Sequence, residues 1–94
     1  MARPVFHNAF CDFLGIEYPI FLAGMGVGGR ATPPRLVAAV SEAGGAGVLG
    51  CSGLSPDETR RRIREVRALT DRPFGVDLLL PVRIADAPAT MAAN

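Results

Sequence analysis

Lysine is absent from this chain. All ten basic residues are arginine, nine residues are acidic, and the formal net charge is +1. A balance this close sets up no strong field of one sign, which argues against nucleic acid or an anionic membrane surface as a partner. Nor do basic and aromatic residues interleave as they do on nucleic-acid-binding surfaces. Only two cysteines occur, Cys11 and Cys51. They are too few for a disulfide scaffold and are not spaced as metal ligands, so the expectation is two buried or half-buried thiols in a reducing compartment, and no metal site. No apolar run reaches the roughly 18 residues of a membrane span. Met1-Ala-Arg-Pro leads into no long apolar segment of the kind a signal peptide carries. These absences make a cytoplasmic protein the expectation.

What the chain does have is apolar character. Hydrophobic residues make up 49% of its 94 positions, and the mean hydropathy is +0.27. A small domain buries proportionally little of its surface, so part of this apolar surface is expected to meet a partner or a remainder. The apolar residues are grouped. "PIFLA" (Pro19 to Ala23), "AGVLG" (Ala46 to Gly50) and "FGVDLLL" (Phe74 to Leu80) begin 27 and 28 residues apart. Each is apolar almost throughout instead of alternating with polar residues, as a strand buried on both faces would be.

Helical patterns lie between them. The first is expected from Thr32, read as the N-cap, with Pro33 at the first helical position and Leu36, Val37, Val40 and Ala43 on one face. Gly44-Gly45 ends it. The second starts with a capping box, "SPDE", in which Ser55 caps and Glu58 follows three residues later. Ile63, Val66 and Leu69 form its apolar stripe. Arginines crowd its other faces but alternate with acids, Asp57–Arg61, Glu58–Arg62 and Arg61–Glu65 being four apart, so a solvated helix is expected there and not an anion site. Before the first strand, Phe6, Phe10, Phe13 and Leu14 recur at helical spacing in a short segment ending at Gly15. After Leu80, residues 82–94 show no clear period and are expected to be irregular or a truncated tail.

Strands alternating with helices imply an α/β fold with a parallel sheet. Two architectures compete, a doubly wound open sheet and a (β/α)8 barrel. The repeat length lies close to the roughly 31 residues per unit of a typical barrel. On that reading, residues 1–94 are the N-terminal part of one TIM-barrel domain. They would hold the first three β strands, two to three helices and two unpaired sheet edges through which copies could self-associate.

Two features at strand ends are candidate sites. Gly24, Gly26 and Gly29 have the spacing G-x-G-x-x-G. A dinucleotide fingerprint, however, needs the helix to begin inside the motif and an acid at the end of the second strand. Here the helix begins after Gly29, and "VLGCSG" (Val48 to Gly53) holds no acid. No Lys-Ser or Lys-Thr follows, so the loop is not a P-loop either. What remains is a glycine-rich loop at the carboxyl end of a strand, where a barrel binds its ligands and where glycine lets a flat ligand approach the backbone. The second feature is Asp77, a lone acid inside an apolar strand. Burying it is costly unless it is paired. Strand alternation puts it with Gly75 and Leu79, opposite Phe74, Val76 and Leu78.

"GIEYPIFLAGM" (Gly15 to Met25), "LVAAVSEAGGAGVLG" (Leu36 to Gly50) and "SPDETRRRIREVRALTDRPFGVDLLLP" (Ser55 to Pro81) together resemble the N-terminal part of nitronate monooxygenases, formerly called nitropropane dioxygenases. The resemblance implies an FMN-dependent (β/α)8 barrel that oxidises alkyl nitronates with O₂. It also implies that Ala23, Gly24 and Met25 match the family's Ala-Pro-Met segment against the flavin, with Gly24 in the proline's place. Asp77 matches the asparagine of the family's third strand; an ionised aspartate only accepts hydrogen bonds, whereas asparagine also donates. The family's catalytic histidine and flavin-phosphate loops lie later in the chain than residue 94, so none of these residues is expected to be catalytic and the 94 residues alone are expected to be inactive. His7, ahead of the first strand, is expected to be structural or exposed. Two other functions fit the same pattern: a flavin-dependent enoyl reductase of the same barrel type, and a non-catalytic α/β module that pairs its sheet edges.

Overall fold

The structure, a computed structural model, describes residues 5–26 and 32–80. Its elements run α1 (Ala9–Leu14), β1 (Phe21–Leu22), α2 (Pro34–Glu42), β2 (Ala46–Gly50), α3 (Pro56–Leu69) and β3 (Phe74–Asp77). The strands form one three-stranded sheet in the order β1-β2-β3. Both pairings are parallel, Phe21 opposing Ala46, and Gly47 to Gly50 opposing Phe74 to Asp77. The expected alternation of strands and helices is therefore present, with β2 spanning the whole of "AGVLG". Strands β1 and β3 are shorter than their apolar runs because the ladders end at Leu22 and Asp77. Residue Gly29 and the segment 82–94 lie outside the described residues.

The sheet carries a core on each face. On one, α2 and α3 bring Val37, Ala38 and Val66 onto Leu49 and Cys51 of the β2 end, with Leu54, Ile63 and Phe74 packed around them. On the other, Cys11 of α1 and Ile16, just beyond its Gly15 cap, pack with Ala46 at the start of β2. Alternation along β2 explains the division. Gly47 and Leu49 point toward the crossover helices, and Ala46, Val48 and Gly50 point away. Helix α2 lies so close that a Cβ on Gly47 would fall 2.8 Å from Val37 Cα. The Ser41 hydroxyl accepts the Gly47 N–H at 3.1 Å, which is why a polar side chain is buried on that helix face.

The helices depart from expectation in five places. Helix α2 starts at Pro34, with Pro33 as an N-cap that makes no side-chain bond; Thr32 is not the cap, because its hydroxyl is engaged elsewhere. The buried face of α2 is Pro34, Val37, Ala38 and Ser41, rotated from the expected one so that Leu36 and Ala43 are exposed. In the first segment, the Phe6, Phe10 and Phe13 side chains face outward and Cys11 is buried instead. Asn8 caps this helix by accepting the Cys11 N–H, and Gly15 closes it at φ 76°. The capping box of α3 forms as expected, Ser55 Oγ accepting the Glu58 N–H at 3.1 Å. Val66 is its buried anchor and Ile63 is half-buried, whereas Leu69 is exposed. Acids and arginines do pair along α3, but Asp57 pairs with Arg60 and not with Arg61.

Candidate functional site

In a parallel sheet all carboxyl ends lie at one pole, and ligand sites gather there. Three segments meet at that pole. The chain leaves β1 through Ala23, Gly24 and Met25; it leaves β2 through Gly50, Cys51 and Ser52; and β3 ends at Asp77. The Asp77 side chain shares a sheet face with Gly75, away from α2 and α3, as expected from alternation. It reaches across to the β1 end. A Cβ built on Gly24 would lie 2.7 Å from Asp77 Cγ and 2.8 Å from Oδ1. The carboxylate thus occupies the space that a side chain at position 24 would need. Any group laid against that part of the β1 exit meets both bare backbone and carboxylate oxygen.

The β2 exit is tied to both neighbours. Gly50 is in register with Asp77, and the Cys51 N–H donates to the Asp77 carbonyl at 3.1 Å. The Leu79 N–H donates to Ser52 Oγ at 2.5 Å. On the other side, the Thr32 hydroxyl accepts the N–H groups of Met25 and Gly50 and donates to the Met25 carbonyl, each at 3.3 Å. Gly50 permits this approach, since a Cβ there would stand 3.3 Å from the Met25 nitrogen and from Thr32 Oγ1.

The Cys51 thiol is shielded, with 1% exposure. Burial pushes its pKa up from the ordinary 9.0, and the nearby Asp77 charge pushes the same way; Arg62 and a hydrogen bond with Thr59 oppose them. It is a protonated packing group and not a nucleophile. Met25 is half exposed and Ala23 is exposed, so the β1 exit presents its surface outward.

His7 stands at the other pole. Its Nδ1 lies 2.8 Å from the Glu17 carbonyl and its Nε2 lies 2.7 Å from Asp12 Oδ1. Glu17 in turn bonds to the Gly44 carbonyl just ahead of β2. The histidine braces the entry to the sheet, as expected of a structural residue. Ala23, Gly24, Met25 and Asp77 are thus brought to one corner. Gly50 and Ser52 join them without having been singled out in the sequence, and so does Thr32, which the sequence offered only as a helix cap. Thr32 resembled a cap because it precedes a Pro-Pro pair. The small residues of "GCSG" were the available signal for the β2 exit. Among the described residues, no cluster of metal-ligating side chains occurs.

The sheet and its crossovers define a class, a parallel α/β unit, and the solved structures that superpose on it place that unit in the (β/α)8-barrel type of fold. The FabK structure from Thermotoga maritima superposes with a TM-score of 0.72 and 42% identity, covering 92% of this chain and 27% of that one. A nitroalkane oxidase from Streptomyces ansochromogenes superposes with a TM-score of 0.68 and 38% identity, covering 81% of this chain and 21% of that one. The family model for nitronate monooxygenase matches residues 7–94, and the chain belongs to that family. Among curated relatives, the nitronate monooxygenase of Paraburkholderia phytofirmans is 47% identical over 71 residues, 76% of this chain and 19% of the relative. That of Pseudomonas aeruginosa is 49% identical over 72 residues, 76% of this chain and 19% of the relative. The chain therefore spans about a fifth of the length of the curated relatives it matches.

Proposed function

We propose that this chain supplies the first three strands of an FMN-dependent nitronate monooxygenase, and that Ala23, Gly24, Met25 and Asp77 form part of the floor under the isoalloxazine ring. The observation that carries the reading is the Gly24–Asp77 corner at the carboxyl pole of the sheet, in a chain that belongs to this family. The residues present suit the ring part of FMN. A flat ring needs a strip of backbone without projecting side chains, and position 24 has none to project. A carboxylate at its margin accepts hydrogen bonds from ring N–H groups and repels phosphate. The phosphate would therefore be held elsewhere, by loops later in a barrel.

FMN, when bound, supplies the electron acceptor for the nitronate and the route from it to O₂. The part played by these residues is to bind and to orient. Ala23 to Met25 offer the backbone surface, and Asp77 adds an acceptor where the family's asparagine offers both a donor and an acceptor. No helix among the described residues is long and apolar enough to cross a membrane. By themselves the 94 residues offer a fraction of the flavin contacts of a whole barrel and are inactive.

The test is a steady-state assay of the complete gene product. Oxygen consumption with an alkyl nitronate, dependent on FMN, supports the reading. Turnover of NAD(P)H with an enoyl thioester and none with the nitronate overturns it in favour of a flavin-dependent enoyl reductase. A defined oligomer of the 94-residue chain by size-exclusion mass, unfolding cooperatively and indifferent to FMN, overturns it in favour of a non-catalytic module that pairs the outer edges of β1 and β3.

A further inference from the structure

We propose that Thr32 is the positioning residue of this corner, and that its hydroxyl sets where the Met25 backbone stands relative to the ends of β2 and β3. The inference rests on the reading of residues 23–25 as a flavin floor. A hydroxyl has one proton to donate and two lone pairs with which to accept. Thr32 uses all three, accepting the Met25 and Gly50 N–H groups and donating to the Met25 carbonyl. The residue has no exposure to solvent, so no water stands ready to replace these bonds. None of the bonding is spent on α2, whose cap is Pro33.

The β1 ladder ends at Leu22. Met25 is therefore not held by sheet pairing; it is held from the far side of the glycine-rich loop by Thr32. Gly50 completes the connection, being the register partner of Asp77. One hydroxyl thus links the β1 exit to the strand pair that carries the carboxylate. Serine can make the same bonds, whereas valine keeps the shape and loses all three.

The experiment uses the ¹⁵N-labelled 94-residue chain as wild type, Thr32→Ser and Thr32→Val, followed by amide hydrogen exchange and by chemical shifts during an FMN titration to millimolar concentration. Slow exchange of the Met25 and Gly50 amides is expected in wild type and T32S. In T32V both should speed up by about tenfold or more while the Thr70 amide, at the end of α3, is unchanged. FMN should shift the Ala23 to Met25 amides in wild type and T32S, and shift them less in T32V. If the wild-type Met25 and Gly50 amides exchange as fast as an open loop, the inference fails without recourse to a variant, so a T32V chain that does not fold still leaves it testable. Unchanged exchange in T32V overturns it too. Equal FMN shifts in T32V and wild type overturn it while leaving the flavin floor standing. Absence of FMN shifts in every chain, with the exchange pattern as expected, reduces Thr32 to a fold contact and counts against the flavin reading itself.

Discussion

The Asp77 carboxylate occupies the side-chain space of Gly24, so that a Cβ at position 24 would stand 2.7 Å from Asp77 Cγ. Gly24 is not held at positive φ. Alanine would therefore be acceptable to the backbone conformation, and the nearest conflict is with the carboxylate. Gly24→Ala should destabilise the chain by roughly 1–3 kcal/mol, the usual cost of overpacking. In an Asp77→Gly background the same change should cost much less. Urea unfolding of the two single variants and the double variant closes the cycle, and a coupling of about 0.5 kcal/mol or more is expected for groups in contact. Additive losses would mean that the two residues do not meet.

The helix–sheet contact makes a comparison between two glycines. A Cβ on Gly47 would fall 2.8 Å from the Cα of Val37 and 2.9 Å from its carbonyl carbon, both backbone atoms of α2. A Cβ on Gly75 would meet only the Val48 side chain, at 3.4 Å, an ordinary van der Waals distance. Gly47→Ala should therefore push α2 off the sheet and cost on the order of 2 kcal/mol or more, as forced backbone shifts do. Gly75→Ala should be close to neutral. Denaturant midpoints of the two variants, compared with wild type, decide the matter.

Much of this architecture was legible in the residues. The repeat spacing located three parallel strands, and the capping box located the start of α3 through Ser55, because both signals are local. Alternation in "FGVDLLL" grouped Asp77 with Gly75 on one face of the strand for the same reason. The buried face of α2 was not legible. Ser41 is buried by its bond to Gly47 N–H, a contact made across a turn, and hydropathy periodicity counts such a residue as exposed. Thr32 was misread for a related cause. A threonine before Pro-Pro has the composition of a cap, yet its hydroxyl bonds to Gly50, 18 residues away. The meeting of Gly24 with Asp77 likewise depends on strand register, which no single segment encodes.

Acid should weaken α3 through Glu58. Hydrogen bonds from Arg61, and secondarily from Arg62, hold its carboxyl at about 2 against the ordinary 4.5. The folded chain thus binds that proton less readily than the unfolded chain. Its contribution to stability is complete above about pH 4.5 and is lost as the pH falls toward 2. Urea midpoints measured between pH 5 and pH 2 should fall in wild type and fall less steeply in Glu58→Gln. Because these partners face solvent, added salt should flatten the wild-type curve as well. An identical pH dependence in the variant would remove Glu58 from the account.

Cys51 makes the opposite prediction at high pH. Burial and then the Asp77 charge raise its pKa above 9.0, so the folded chain keeps the thiol proton more tightly than the unfolded chain does. The associated stability is present below about pH 9 and is lost as the pH rises past 9.0 toward the raised folded value. Cys51→Ala should lessen the decline of the urea midpoint between pH 8 and pH 10. The same shielding predicts slow alkylation by iodoacetamide at pH 8, read by mass spectrometry of the peptide containing Cys51. Replacing Asp77 by asparagine removes one of the two raising influences without changing the size of the side chain, so Asp77→Asn should speed that alkylation. If D77N and wild type react at one rate, the Asp77 carboxylate does not act on the Cys51 thiol, and burial alone accounts for the raised pKa.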